Sequence, residues 1–246
     1  MNLRAARRAV TLGAALAICV LRYWLARASG PLTLERRALW LQSASKLVLW
    51  SVGVRYKVEG QAPERGLVVA NHLSYLDIAI LSAVMPCFFV AKAEIDQWPF
   101  FGRAARTGGT LFINRSSLAS AEKVAALIAE RLELQVPVLV FPEGTSSDGT
   151  SVLRFHSRLF EPAIQAGAPV TAVAVRYVLA NGSDERDICW FGDDAFLPHL
   201  WKTLGAEPFV AEVSFGEPQV YPHRRVAAEQ TRAEIAAKRN GDLVTQ

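Results

Sequence analysis

The sequence predicts an α/β fold, a mixed, largely parallel sheet covered by helices and preceded by an N-terminal helix pair. Short apolar runs at residues 67–70 (LVVA), 87–91 (CFFVA) and 137–141 (PVLVF) each lead into a turn, as strands buried on both faces of a parallel sheet do. An amphipathic helix over residues 120–135 joins a strand at 109–115 to the one at 137–141, and such alternation places parallel neighbours under helical cover. Excess hydrophobicity and basic charge gather before residue 50, which sets that stretch apart. The expected division is therefore 1–53, membrane-associated helices, and 54–246, the α/β domain.

In chain order, residues 9–21 are an apolar run between Arg8 and Arg22. Thirteen helical residues rise about 20 Å, less than the roughly 30 Å hydrocarbon core, so a tilted or interfacial helix is expected. Arg22 would snorkel, with Tyr23 and Trp24 at headgroup level. A basic start, an apolar centre and Ala26-Arg27-Ala28 also match a secretory leader, although Arg22 and the bulky residues after it fit that pattern poorly. Residues 31–52 read as a second helix, capped by Thr33, with Leu39, Trp40, Leu47, Val48 and Trp50 as its apolar stripe.

Residues 66–84 (GLVVANHLSYLDIAILSAV) pass from strand to helix, with His72 in the turn and Asp77 in the helix's first turn. Neutral imidazole accepts a proton near pH 7, and a carboxylate close by fixes its tautomer and steadies the imidazolium. Ser74 and Asp77 also match a capping box, which would need no chemistry.

After the strand at 87–91 comes Lys92, and residues 97–101 (QWPFF) are too aromatic for an ordinary loop. In residues 109–115 (GTLFINR), alternation puts Leu111, Ile113 and Arg115 on one face, and a guanidinium at a strand end can grip phosphate with two hydrogen bonds. The helix at 120–135 sets Leu127, Ile128, Leu132 and Leu134 against Glu130, Arg131 and Glu133. The strand at 137–141 runs into Pro142, Glu143, Gly144 and Thr145, where proline ends pairing and glycine permits a tight turn whose N–H groups can face an anion. The loop 146–149 (SSDG) follows, but the lysine of a nucleotide-binding loop is absent. Further strands are expected at 169–175 and 209–215, and helices at 196–204, where His199 reads as structural, and 226–238, before a frayed tail.

The chain has 246 residues, 51% hydrophobic, and a net charge of +4, enough for one substantial domain with an extension. Arg4, Arg7, Arg8, Arg22, Arg27, Arg36, Arg37 and Lys46 precede residue 50, where Glu35 is the only acid. Interleaved with long apolar runs and unaccompanied by any nucleic-acid motif, this excess suits an anionic lipid surface and not nucleic acid. Cys19, Cys87 and Cys189 are widely spaced and odd in number, which points to a reducing, cytosol-facing environment. Neither they nor His72, His156, His199 and His223 have metal-ligand spacing, so no metal is expected.

NHLSYLD, GTLFINR and FPEGT, in this order and spacing, resemble the first three motifs of the glycerolipid acyltransferase family, best known from bacterial 1-acylglycerol-3-phosphate acyltransferases. Residues 168–175 (APVTAVAV) look like the fourth, and the resemblance spans about residues 54–215. It implies the glycerol-phosphate acyltransferase fold and direct acyl transfer: His72 deprotonates a lysolipid hydroxyl, which attacks the thioester of acyl-CoA or acylated carrier protein, while Asp77 orients His72. It further implies that Arg115 binds the acceptor's phosphate and that Glu143, Gly144 and Thr145 contribute to the acceptor pocket. The donor is the only cofactor-like molecule required, and the setting is the cytoplasmic face of the inner membrane.

The implied acceptor is lysophosphatidic acid, yielding phosphatidic acid, but FPEGT-SSDG followed by Ser157-x-Leu159-Phe160 also resembles the ornithine-lipid branch, whose acceptor is a lyso-ornithine lipid. Residues 153–160 (LRFHSRLF) depart from the family's lysine-bearing segment, so no lysine carries over there, and Arg158 is left as a basic contact. With no GxSxG elbow and no cysteine near His72, no enzyme nucleophile is expected. A lipid ester or thioester hydrolase and a non-catalytic lipid-binding protein are the competing classes.

Overall fold

A computed structural model of the chain describes residues 2–97, 101–113, 118–180 and 182–241. The order is α1 (Leu3–Ala28), α2 (Leu34–Val52), β1 (Arg55–Glu59), β2 (Leu67–Ala70), α3 (Leu76–Val84), β3 (Phe88–Lys92), α4 (Phe101–Gly108), β4 (Leu111–Ile113), α5 (Leu118–Leu132), β5 (Val138–Val140), α6 (Glu161–Gln165), β6 (Val170–Leu179), α7 (Phe196–Gly205), β7 (Phe209–Phe215) and α8 (Arg224–Asn240).

The strands form one seven-stranded sheet ordered β1-β7-β6-β2-β5-β3-β4. Every neighbouring pair is parallel except β6 and β7, which run antiparallel from Val173↔Phe215 to Leu179↔Phe209. This is the mixed, largely parallel sheet that the sequence predicts. Strand β2 at its centre shows why LVVA is apolar throughout. Val68 and Ala70 face a core with Ile80, Leu81, Leu139, Val173 and Val175, while Leu67 and Val69 face a second core with Ile128, Val138, Phe160 and Ile235. Strand β1, RYKVE, escaped sequence reading because it is an edge strand, mostly exposed, and carries no apolar run.

Several boundaries correct the sequence expectation. Helix α1 has 26 residues, about 39 Å by helical rise, and not the 13 of the apolar run, because the arginines at both ends continue the helix. Its Asn2 cap and buried Ala5, Arg8, Ala15 and Cys19 build one side into the protein. Helix α2 keeps the Thr33 cap, whose side chain accepts the Arg36 N–H at 3.3 Å, and ends at Gly53 in the left-handed conformation (φ 74°). Its buried positions are instead Ala38, Ala44, Ser45, Leu49, Ser51 and Val52, while Leu39 and Trp50 of the expected stripe are 53% and 74% exposed. Small residues let this helix lie close on its neighbours, with Leu49 and Val52 inward and Leu39 and Trp50 outward.

Helix α5 stops at Leu132, so Leu134 packs in a separate small cluster with Phe88 and Ala38 and not on the helix's stripe. Strand β6 runs four residues beyond the expected 175, and its extension carries Tyr177. Residues 98–100 of QWPFF, Arg115, and the tail from 242 lie outside the described residues.

Candidate active site

The first turn after β2 is held by side chains standing in for main chain. Asn71 donates from Nδ2 to the Val175 carbonyl at 3.0 Å and accepts the Val175 N–H on Oδ1 at 2.8 Å, which extends the β2–β6 ladder while the backbone turns away. His72 projects from that turn at the C-terminal end of the strand, where open α/β sheets place ligands.

Asp77 is fully buried at the start of α3. Its Oδ2 accepts the N–H groups of Leu73 at 2.6 Å and Ser74 at 3.0 Å and lies 2.9 Å from His72 Nδ1. Its Oδ1 accepts the hydroxyl of Tyr177. The two sequence readings of Asp77 are thus both realised: one carboxylate ties the turn's orphan N–H groups and orients the imidazole. Facing a carboxylate oxygen, Nδ1 carries the proton, so Nε2 presents a lone pair. The ring stacks on Phe141, centroids 4.1 Å apart, with its side chain 17% exposed. Such an imidazole is rigid, polarised and reachable.

The PEGT segment grips the main chain of His72 from the other side. Glu143 is buried; its Oε1 accepts the His72 N–H at 3.0 Å and its Oε2 the Leu153 N–H at 3.3 Å. Burial pushes its carboxyl up to about 7, against the pull of those two backbone donors. Ser147 completes the bracket, donating from its N–H to the His72 carbonyl at 2.9 Å and from Oγ at 3.3 Å. Gly144 (φ 76°) makes the turn between them, and Thr145 is exposed. The structure therefore brings His72, Asp77 and Glu143 together and sets Gly144 and Thr145 on the adjoining turn. Ser147 and Tyr177 were not singled out in the sequence. The serine sits in a loop legible only as turn-rich, and a tyrosine within an apolar strand reads as core.

A model of the acyltransferase family matches residues 54–176, which hold all of these groups except Tyr177. The chain belongs to the acyltransferase family. Among its relatives, a lyso-ornithine lipid O-acyltransferase of Pseudomonas aeruginosa is 37% identical over 198 residues, 80% of this chain and 68% of that protein. A 1-acyl-sn-glycerol-3-phosphate acyltransferase of Neisseria meningitidis serogroup B is 38% identical over 172 residues, 68% of this chain and 67% of that one. The crystal structure of the 1-acyl-sn-glycerophosphate (LPA) acyltransferase PlsC from Thermotoga maritima superposes with a TM-score of 0.70 over 99% of both chains at 17% identity, a likeness of fold.

This acyltransferase is thus of the lysophospholipid type, with a lysolipid acceptor and an acyl donor, and its remaining titratable groups bear on the chemistry. Burial drives the Cys87 and Cys189 thiols far up, so neither is a thiolate near neutral pH. His199 is buried between the Cys189 carbonyl, 2.9 Å from Nε2, and the Tyr75 hydroxyl, 3.2 Å from Nδ1, and burial lowers its pKa. It braces the loop that carries His72, as the structural reading expected. Trp190 adds a tie from its main-chain N–H to the Leu73 carbonyl at 2.8 Å. Lys92 ends β3 exposed. Among the described residues no group of three or more His, Cys, Asp or Glu side chains could hold a metal ion.

Proposed function

We propose that the protein acylates a lysolipid hydroxyl directly from an acyl thioester, with His72 as general base. His72 Nε2 takes the hydroxyl proton as that oxygen attacks the thioester carbonyl. The tetrahedral intermediate then expels the thiolate, which recovers the proton from the imidazolium, leaving an ester and free CoA or carrier-protein thiol. The observation that carries this is the 2.9 Å contact between His72 Nδ1 and the buried Asp77 carboxylate, which fixes the tautomer and offsets the imidazolium charge. Because the donor is already activated, no enzyme nucleophile is needed.

Arg115 is proposed to contact the acceptor's anionic group, with Gly144 and Thr145 beside the acceptor and Glu143 holding the His72 turn from below. Residues 1–53 would seat the enzyme on the cytoplasmic leaflet of the inner membrane. In support, α1 is the one helix among the described residues long and apolar enough to cross a bilayer by length and composition, and little of its apolar stretch is buried. An apolar groove of about 460 Å³ between α1 and α2, lined by Leu25, Leu39 and Trp40 and flanked by Arg22 and Arg36, suits the same lipid setting.

Two acceptors remain in play. A lyso-ornithine lipid is favoured by the longer match to the Pseudomonas relative and by the lysine-free segment 153–160. Lysophosphatidic acid is favoured by the slightly higher identity of the Neisseria relative, 38% against 37%. Purified enzyme given long-chain acyl-CoA, and in parallel acylated carrier protein, is to be offered each acceptor. Product from the lyso-ornithine lipid at ten-fold or greater kcat/KM supports the first, the converse ratio supports lysophosphatidic acid, and no product with either acceptor and either donor overturns the proposal.

A further inference from the structure

Tyr177 lies a hundred residues from Asp77 in sequence, yet its hydroxyl donates to Asp77 Oδ1. It is buried in the same apolar core as Val175, Leu179, Phe209 and Val213, its ring 5.4 Å from that of Phe209. Phenylalanine would fill such a site at no desolvation cost, whereas a buried hydroxyl is costly unless it is bonded. The one polar atom of the side chain is spent on the carboxylate that faces His72.

The strand carrying Tyr177 is pinned at that height from behind. Its N–H donates to Glu185 Oε2 at 3.0 Å, and Glu185 pairs through Oε1 with Arg239 of α8. The same guanidinium donates to the carbonyls of Val175 and Gly149, the latter at 2.6 Å, so α8, β6 and the loop after PEGT are fastened at one point. The titratable and charged groups around the pair are Glu143 beside His72, Cys189 and Glu185 after β6, and Arg239. Burial and the Asp77 charge hold the Tyr177 phenol well above its ordinary range, so it remains a donor throughout the working pH range.

We propose that Tyr177 is a positioning residue for acyl transfer: it occupies Asp77 Oδ1 while the Leu73 and Ser74 N–H groups hold Oδ2, so that the carboxylate meets His72 in one orientation and shares its charge among four donors. This rests on the reading of His72 and Asp77 as the working pair. Without the hydroxyl, Oδ1 is left buried and unpaired. The negative charge then bears more fully on the imidazole, which holds its proton to higher pH and frees fewer molecules to act as base.

The test is the pH dependence of kcat and KM for wild type, Tyr177→Phe and Glu185→Gln, with His72→Ala beside them. Tyr177→Phe is expected to lower kcat about 10-fold or more, to leave the KM for acyl-CoA within about two-fold, and to move the acid limb of the kcat profile up by about one pH unit, equivalent to a ten-fold change in a protonation equilibrium. Glu185→Gln loosens the strand without touching Asp77, and should lower thermal stability while leaving that limb in place. An acid limb in Tyr177→Phe that superposes on wild type, whatever happens to kcat, overturns the inference, as does the same shift in Glu185→Gln. Wild-type turnover in His72→Ala would instead overturn the underlying assignment, so the two failures are distinct.

Discussion

Glu143 meets His72 through the backbone: its Oε1 accepts the His72 N–H at 3.0 Å, and its other oxygen accepts the Leu153 N–H at 3.3 Å. The acid of the PEGT segment thereby couples two loops at the mouth of the sheet. What happens to its proton is therefore a matter of loop stability as well as of chemistry.

The carboxyl of Glu143 is raised from about 4.5 to about 7 in the folded protein. Folding thus favours its protonated form, and the associated stability is fully present below pH 4.5 and is lost as pH rises through about 7. Glu143→Gln removes this loss, which is on the order of 3 kcal/mol at most. The amide oxygen can satisfy only one of the two N–H groups, so the variant should be less stable than wild type at pH 5 by roughly 1–2 kcal/mol, with the gap closing toward pH 8. Denaturation midpoints in detergent at pH 5 and 8 check this, and parallel curves would contradict it.

Asp77→Asn retains an oxygen for part of the donor set but turns an N–H₂ toward the rest. Turnover should fall by about 100-fold or more, the usual contribution of an oriented base, alongside a stability loss on the order of 2 kcal/mol. Steady-state kinetics with a thermal melt separates the two. A melt shift with wild-type turnover would reduce Asp77 to a helix cap.

Arg8 Nη1 donates to the Leu204 and Ala206 carbonyls at 3.1 and 2.9 Å, satisfying acceptors left open at the C-terminus of α7. Arg8→Met keeps the stem and removes the charge-assisted bonds, so stability should drop by about 2 kcal/mol. Turnover of the folded fraction should hold near wild type, because α7 reaches the His72 turn through His199 and Tyr75, which the substitution does not touch. Unchanged unfolding midpoints would contradict the anchoring role.

Leu21 and Trp24 of α1 are 59% and 62% exposed. If this face enters lipid, replacing both with Asp should weaken binding to vesicles containing phosphatidylglycerol by at least about ten-fold, since acidic residues are strongly disfavoured in hydrocarbon. Flotation of the protein with such vesicles measures this, and equal flotation of the variant would contradict a bilayer contact through this face.

Much of the architecture was legible because its central strands are buried on both faces: LVVA and PVLVF announce themselves as unbroken apolar runs. Strand β1 did not, because an exposed edge strand needs no such run. The packed face of α2 escaped the pattern for a related reason: beside Leu49 and Val52 its contacts use alanine and serine, which carry little hydropathy signal. At the site, His72 and Asp77 were legible because they are five residues apart and bond locally. Tyr177 was not, because it reaches Asp77 across a sheet from a strand that the apolar pattern ended four residues early. The residue type of Glu143 stood out, but its partners are main-chain N–H groups, which no side-chain motif encodes.

The central claim is that His72 Nε2 removes the acceptor's proton and that no acyl group rests on the protein. Its most direct test is acyl transfer from radiolabelled long-chain acyl-CoA to the preferred lysolipid by wild type and His72→Ala, with the protein band assayed for bound label in the absence of acceptor. The account predicts labelled diacyl product from wild type, a loss of about 1,000-fold or more in His72→Ala with an unchanged melt, and no label on the protein. Product formed by His72→Ala at the wild-type rate, or label retained covalently by the wild-type chain and released on adding acceptor, would contradict it.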